Sequence, residues 1–172
     1  MPISETDRIR FLTSVHPYDS LKQSTLRDLA PKFQILSVNP GEMIYELGAD
    51  LAGLYLVYHG EVEVFDENHM AISILGPRNS FGERGLTRGG RAATSARAST
   101  ATVLLLLPRK DFALLMQAEP AVTRFFDRRR PDTPIQNGLT TTRAESVMAA
   151  PPVTCSPGLT CQGAAQLMRA HH

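Results

Sequence analysis

The first part of the chain carries apolar residues at helical spacing. Within residues 5–33, Ile9, Leu12 and Val15 recur every three positions, and a second apolar stripe follows the turn His16-Pro17-Tyr18-Asp19. The second stripe consists of Leu21, Leu26, Leu29 and Phe33. This period is typical of amphipathic helices. The pattern therefore predicts two helices before residue 34.

The boundaries of the second helix can be predicted from its flanking residues. Asp19 and Ser20 stand just before the second stripe, and either side chain can accept a hydrogen bond from a free amide of the first turn. Pro31 disfavours helical geometry at the residue before it. We therefore expect Asp19 or Ser20 to cap this helix, and we expect the helix to end or bend near Ala30.

From Ile35 onward the apolar spacing changes from helical to alternating. In Glu61-Val62-Glu63-Val64-Phe65, charged residues alternate with valines, as a half-buried antiparallel strand requires. Glycine-bearing turns separate short apolar runs at 43–45, 54–58, 62–65, 72–75, 94–100 and 102–107. Many short strands at close spacing predict a sandwich or a barrel.

Helical spacing returns at Arg109. One helix would bury Phe112, Leu115 and Met116, and a second, shorter one would start at Pro120. The second helix would carry Val122, Phe125 and Phe126. Residues 131–145 are polar and rich in turn formers, which favours a linker. We therefore expect one domain over residues 1–130, a linker over 131–145 and a further segment over 146–172.

Composition narrows the classes of function. Of 172 residues, 42% are hydrophobic and 20% charged, and the formal net charge is +1. With so small a net charge, the electrostatic field of the protein does not favour binding to nucleic acid. No apolar run approaches the roughly 20 residues that span a bilayer. The polar start lacks a signal-peptide pattern. Cys155 and Cys161 do not form a CxxC pair. We expect a cytoplasmic protein without nucleic-acid or membrane partners.

The loop from Phe81 to Thr94 carries the groups that a cyclic nucleotide needs. A guanidinium can hold two oxygens of the cyclic phosphate, and Arg91 offers one. A carboxylate is the natural acceptor for the ribose 2′-hydroxyl, and Glu83 offers one. The small residues that would let the backbone approach a nucleotide are Gly82, Gly85, Ala92 and Ala93. Gly85 and Leu86 can offer amides from the first turn of a short helix.

This loop resembles the phosphate-binding cassette of cyclic-nucleotide-binding domains, in which F-G-E-x-[AG]-L leads to R-A-A. The resemblance extends to the Pro40-Gly41-Glu42-Met43-Ile44 turn and to Gly60-Glu61-Val62-Glu63-Val64-Phe65, and it covers about residues 10–127. It implies a mainly β fold with flanking helices, an eight-stranded antiparallel β-roll of the jelly-roll type. It also implies a sensor that binds a cyclic nucleotide.

The resemblance also assigns roles within the site. Glu83 becomes the ribose contact and Arg91 the phosphate contact. The close-approach and amide positions become Gly82, Gly85, Leu86 and Ala92, and the strand residues facing base and sugar become Val64, Ile72 and Ser73. In the family, alanine after the arginine is associated with cAMP, and threonine or serine there with cGMP, so Ala92 favours cAMP over cGMP. Arg84 and Gly90 depart from the family's leucine and proline.

Parts of this pattern also fit other interpretations. Taken alone, the Glu83 and Arg91 pair is more typical of a surface salt bridge, and only its place in the cassette favours a binding site. The fold can also exist without nucleotide binding, as a module for dimerisation or interaction. A transcription regulator would need a helix-turn-helix after the last helix, where the proline-rich linker stands. No histidine cluster has metal-site spacing, and no catalytic constellation is readable, so we expect neither a metal, nor a cofactor, nor an enzyme.

The end of the chain resembles the opening of a CBS domain. Val147-Met148, Pro152-Val153-Thr154 and Ala164-Ala165 followed by Leu167-Met168 match its V-M, P-V-T and A-A-x-L-M spacing. Only the first strand and helix of such a unit are present. This resemblance implies a fragment or a shortened product of a longer signal-transduction protein, whose partners would be its further domains or a second copy of the chain.

Overall fold

The computed structural model describes residues 3–128. Five α-helices lie in this range: α1 (Glu5–Leu12), α2 (Gln23–Leu29), α3 (Glu83–Leu86), α4 (Arg109–Ala118) and α5 (Pro120–Arg128). Two short 3₁₀ turns, Tyr18–Ser20 and Ala30–Lys32, flank α2. Ser4 caps the start of α1, since its hydroxyl accepts a hydrogen bond from the Asp7 amide over 3.1 Å. Helices therefore precede and follow the strands, as the apolar spacing predicts.

The same range contains eight strands in two antiparallel sheets. The strands are β1 (Gln34–Val38), β2 (Met43–Tyr45), β3 (Gly53–His59), β4 (Val62–Phe65), β5 (Ala71–Leu75), β6 (Ser80–Phe81), β7 (Ser95–Ala98) and β8 (Thr102–Pro108). One sheet has the order β1-β8-β3-β6 and the other β2-β7-β4-β5. This architecture confirms the expected mainly β fold with eight strands and flanking helices.

The central strands β3 and β8 are buried on both faces. Their register pairs Leu54 with Leu107 and Leu56 with Leu105, and these leucines pack against the helices. The alternate residues point the other way and pack toward the second sheet. These alternate residues are Tyr55, Val57, Leu104 and Leu106. A continuous apolar run such as 103–107 is the expected sequence of a strand covered on both sides.

The sequence prediction for the start of α2 was wrong. Neither Asp19 nor Ser20 caps this helix, which begins after Lys22 without a side-chain hydrogen bond. Both residues lie instead in the 3₁₀ turn, where Ser20 Oγ donates to the Pro17 carbonyl over 2.7 Å. The chain makes one extra tight turn before the helix, so the polar residues satisfy that turn rather than the helix. The end at Leu29, two residues before Pro31, agrees with the prediction.

The linker predicted at 131–145 and the CBS-like segment at 146–172 lie outside the described residues, so both remain predictions. Within residues 3–128, every helix is too short or too polar to cross a membrane.

Candidate functional site

The site is organised by the sharp connection between β6 and α3. Gly82 joins them with a φ of +89°, in the left-handed region that favours glycine. A Cβ at this position would also press against the Tyr55 ring at 3.3 Å. The turn directs Glu83 and Arg84, the first two residues of α3, toward the second sheet. The F-G-E sequence therefore fixes the position of the carboxylate.

The segment after α3 lies directly on this helix. A Cβ on Gly85 would collide with the carbonyl oxygen of Arg91, so only glycine allows this approach. The amide of Gly90 donates to the Gly85 carbonyl over 2.8 Å. The Ala92 amide donates to the Ala49 carbonyl, also over 2.8 Å. The first bond joins α3 to the segment after it, and the second joins that segment to the loop after β2.

A cavity of about 380 Å³ opens between this loop and the second sheet. That volume falls within the roughly 300–1,000 Å³ usual for sites of small molecules. Its lining comes from Tyr45, Leu51, Val64, Ile72, Ser73, Leu75, Asn79, Ser80, Phe81, Gly82, Glu83, Arg84, Gly85, Ala92, Ala93 and Thr94. Among these lining residues of the described range, the charged ones are Glu83 and Arg84.

Seven of the nine residues expected from the resemblance line this one cavity: Gly82, Glu83, Gly85, Ala92, Val64, Ile72 and Ser73. The other two, Leu86 and Arg91, are not part of its lining. Leu86 is half-buried and packs against both hydrophobic clusters. Arg91 is exposed, and its guanidinium donates to the Gly48 carbonyl over 3.0 Å. The structure thus brings together strand residues and loop residues that are up to 28 positions apart in the sequence.

The negative charge of Glu83 contributes to the raised pKa of two buried tyrosines. Burial raises the pKa of Tyr18 well above its ordinary value, and the negative charge of Glu83 raises it further. Burial also raises the pKa of Tyr45, with a smaller contribution from Glu83, while a hydrogen bond with the Thr94 side chain opposes the shift. Both tyrosines therefore stay neutral at physiological pH.

An aromatic cluster lies beneath the cavity. The rings of Tyr55 and Phe81 are stacked with centroids 5.2 Å apart, and the Tyr45 ring lies 5.5 Å and 5.9 Å from them. Tyr45 and Phe81 line the cavity, although the sequence analysis did not assign them to the site. Phe81 belongs to the F-G-E motif and could have been chosen for that reason. Tyr45 could not, because its strand is far from the loop in sequence.

A second cavity, of about 530 Å³, lies on the outer face of the β2-β7-β4-β5 sheet. Arg97 crosses this face, with its guanidinium 2.8 Å from the Glu63 carboxylate and 4.8 Å from the centre of the Phe65 ring. None of the nine expected residues lines it. Although it is larger, its cation already has a carboxylate and a ring as partners, so the cavity beside α3 is the better candidate for binding.

Comparisons with known proteins agree with this geometry. The sequence profile of the cyclic nucleotide-binding domain matches residues 35–119. The voltage-gated inwardly rectifying potassium channel KCNH6 of Rattus norvegicus is 31% identical over 103 residues, which are 59% of this chain and 11% of the channel. The present chain therefore corresponds to a small part of that much longer relative.

Solved structures show the same fold. The catabolite activator protein of Thermus thermophilus is 29% identical with a TM-score of 0.57, and the likeness covers 69% of this chain and 57% of that one. The regulatory domain of Toxoplasma gondii PKA, crystallised with cAMP, is 19% identical with a TM-score of 0.68, covering 73% and 49%. All lining residues of the cavity lie within 35–119, and this segment belongs to the cyclic nucleotide-binding domain family.

Proposed function

We propose that the domain binds a cyclic purine nucleotide, with cAMP preferred over cGMP, and acts as a sensor in signal transduction. The observation that carries the proposal is the convergence of seven expected residues on one cavity of about 380 Å³. Such convergence is not required by the fold, because strand and loop residues could equally face the two hydrophobic clusters.

The chemistry of the lining supports a nucleotide. Glu83 supplies a carboxylate that can accept a hydrogen bond from the ribose 2′-hydroxyl. The side chains of Val64, Ile72 and Leu75 give an apolar wall on the sheet side, which suits the face of a purine. Ala92, whose side chain faces the same space, leaves no hydroxyl to pair with the 2-amino group of guanine, and this supports cAMP.

Titration calorimetry with cAMP, cGMP and 2′-deoxy-cAMP tests the proposal. We expect micromolar or tighter binding of cAMP, weaker binding of cGMP, and a loss of about 10- to 100-fold for 2′-deoxy-cAMP, because a bond to a charged acceptor is lost. Glu83→Gln should weaken cAMP binding but leave binding of the deoxy nucleotide nearly unchanged. Glu67→Gln, an exposed glutamate in the β4–β5 turn, is the matched control and should bind like the natural chain.

A negative result would reject the proposal. If none of the three nucleotides gives heat, and cAMP does not raise the melting temperature, the domain does not bind a cyclic nucleotide.

An alternative function, a non-binding module that pairs subunits, is favoured by one observation. The strand β5 is the edge of its sheet, and its Ile72 and Ile74 are 49% and 65% exposed. An apolar edge strand is a ready template for pairing with another chain. Under this alternative the natural chain sediments as a dimer, Ile74→Lys sediments as a monomer, and cAMP has no effect on either.

The wider setting is also a proposal. The resemblance of residues 147–168 to the opening of a CBS domain supports a role within a larger cytoplasmic signal-transduction protein. The matched relatives with printed functions are channels and regulators, which supports regulation rather than catalysis.

A further inference from the structure

Arg91, the cation expected to bind the phosphate, is bonded to another part of the chain. Arg91 is exposed, lies outside the cavity lining, and donates to the Gly48 carbonyl over 3.0 Å. It also forms an isolated β-bridge with Asp50. These contacts attach the loop after β2 to the segment after α3. The geometry therefore gives Arg91 a positioning role, in which its side chain braces the loop from outside.

Arg84 has the opposite arrangement. It is half-buried and lines the cavity beside Glu83. Its Nε is buried and has no hydrogen-bond partner, and its guanidinium takes part in none of the ion pairs found within residues 3–128. A buried N–H donor of a charged group without an acceptor is costly. A charged guanidinium whose buried Nε lacks an acceptor is therefore suited to bind an anion.

The charges of the lining leave one cation for an anionic nucleotide. Of the described lining residues, Glu83 is negative, Arg84 is positive and the rest are uncharged. A cyclic phosphate is a monoanion, and a planar guanidinium can hold two of its oxygens at once. The carboxylate and the guanidinium stand on successive residues of α3. The carboxylate can therefore bind the ribose while the guanidinium binds the phosphate.

We infer that Arg84, not Arg91, is the residue of this chain that binds the phosphate of the nucleotide. This inference rests on the proposed function and deepens it, since it assigns the phosphate contact to the position where the family's pattern has leucine. It also explains how the chain keeps a phosphate site while the guanidinium of Arg91 is bonded to the Gly48 carbonyl.

The test compares two matched substitutions, Arg84→Leu and Arg91→Leu, by calorimetric titration with cAMP. We expect Arg84→Leu to weaken cAMP binding by about 10- to 100-fold, as the loss of hydrogen bonds between charged groups implies, and Arg84→Lys to recover part of it. Arg91→Leu should change the affinity less than about 3-fold and lower the melting temperature instead, because its bond to Gly48 fixes the loop.

A second measurement observes the natural chain itself and uses the conservative variants Arg84→Lys and Arg91→Lys only to assign the two signals. In the natural chain with ¹⁵N-labelled arginine, the Nε–H signal that is missing in Arg84→Lys belongs to Arg84. We expect this signal to move on addition of cAMP, and the Arg91 signal to stay. If the Arg91 signal moves and the Arg84 signal does not, or if cAMP binds Arg84→Leu as tightly as the natural chain, Arg84 is not the phosphate ligand while the proposed function stands. If the natural chain does not bind cAMP at all, both proposals fail together.

Discussion

The guanidinium of Arg109 donates a hydrogen bond to the carbonyl oxygen of Gly89 over 3.2 Å. Arg109 is the first residue of α4, and Gly89 lies in the loop that follows α3 and leads to the cavity lining. The Arg109 amide also donates to the Ala52 carbonyl over 3.0 Å. One residue therefore connects the helices after the sheets with the loop beside the candidate site.

Removing this connection should loosen the loop without unfolding the domain. In Arg109→Met we expect faster hydrogen exchange at the Gly90 amide, which bonds to the Gly85 carbonyl, and at the Leu51 amide, which bonds to the Gly90 carbonyl. Since the bond is exposed, the loss of stability should stay within about 1 kcal/mol. Lys110→Met, at an exposed neighbour, is the control. Equal exchange in both variants would show that Arg109 does not hold the loop.

A second prediction follows from the close contact between α3 and the segment around Arg91. Gly85→Ala would place a methyl group against the Arg91 carbonyl and the Leu51 side chain. Because a backbone carbonyl cannot rotate away, we expect a loss of about 1–3 kcal/mol in the free energy of unfolding, measured in urea.

The control for Gly85→Ala is Gly76→Ala. A Cβ on Gly76 meets nothing within 4 Å, and its φ lies outside the left-handed region. This variant should be as stable as the natural chain or slightly more so, because alanine restricts the unfolded state. Equal stability of the two variants would mean that α3 can withdraw from the segment at no cost.

Much of the fold could be predicted from local pattern. The alternation in 61–65 gave β4 at its observed place, and the helical spacing after Arg109 gave α4 and α5. The two-residue strand β6 was missed, since Ser80 and Phe81 pair only with β3 and carry no period of their own. Short strands depend on their neighbours in space, and these neighbours lie outside any local window.

The candidate site was likewise predictable only in part. Motif spacing identified Glu83 and the glycines, which the structure places on the cavity. It could not tell where the long side chain of Arg91 would go, because several bonds rotate and the Gly48 carbonyl lies 43 residues away in sequence. Nor could it assign Tyr45 or Leu51, which reach the cavity only when the two sheets pack together.

Nucleotide preference should respond to the residue after Arg91. Ala92 is buried, lines the cavity, and is held by backbone bonds from its amide to Ala49 and from Gly48 to its carbonyl. Ala92→Thr should therefore add a hydroxyl without moving the backbone. We expect cGMP to gain about 3- to 10-fold over cAMP, the value of one neutral hydrogen bond, in paired calorimetric titrations. Ala92→Val, similar in shape but without the hydroxyl, should not change the ratio. An equal shift in both variants would assign the effect to shape.

The last prediction concerns Tyr18. Its ring is fully buried and lies 6.0 Å from Phe33, edge to face, while its hydroxyl has no hydrogen-bond partner. Burial, and then the charge of Glu83, raise the pKa of this phenol above its ordinary value of 10.0. Above pH 10 the unfolded chain therefore loses a proton that the folded chain keeps. The free energy of unfolding should consequently fall as pH rises, by up to about 1.4 kcal/mol per pH unit for this residue.

Tyr18→Phe should remove that part of the pH dependence. Below pH 10 both states of the natural chain are protonated at this site, so the full stability is present there, and the variant should equal it or exceed it by about 1 kcal/mol because an unsatisfied buried hydroxyl is gone. Urea unfolding at pH 7 and from pH 10 to 11.5 measures both effects. Some slope should persist in the variant, since the buried phenol of Tyr45 also has a raised pKa. A loss of more than about 2 kcal/mol at pH 7, with an unchanged slope above pH 10, would mean that the Tyr18 hydroxyl is hydrogen-bonded and titrates normally in the folded chain.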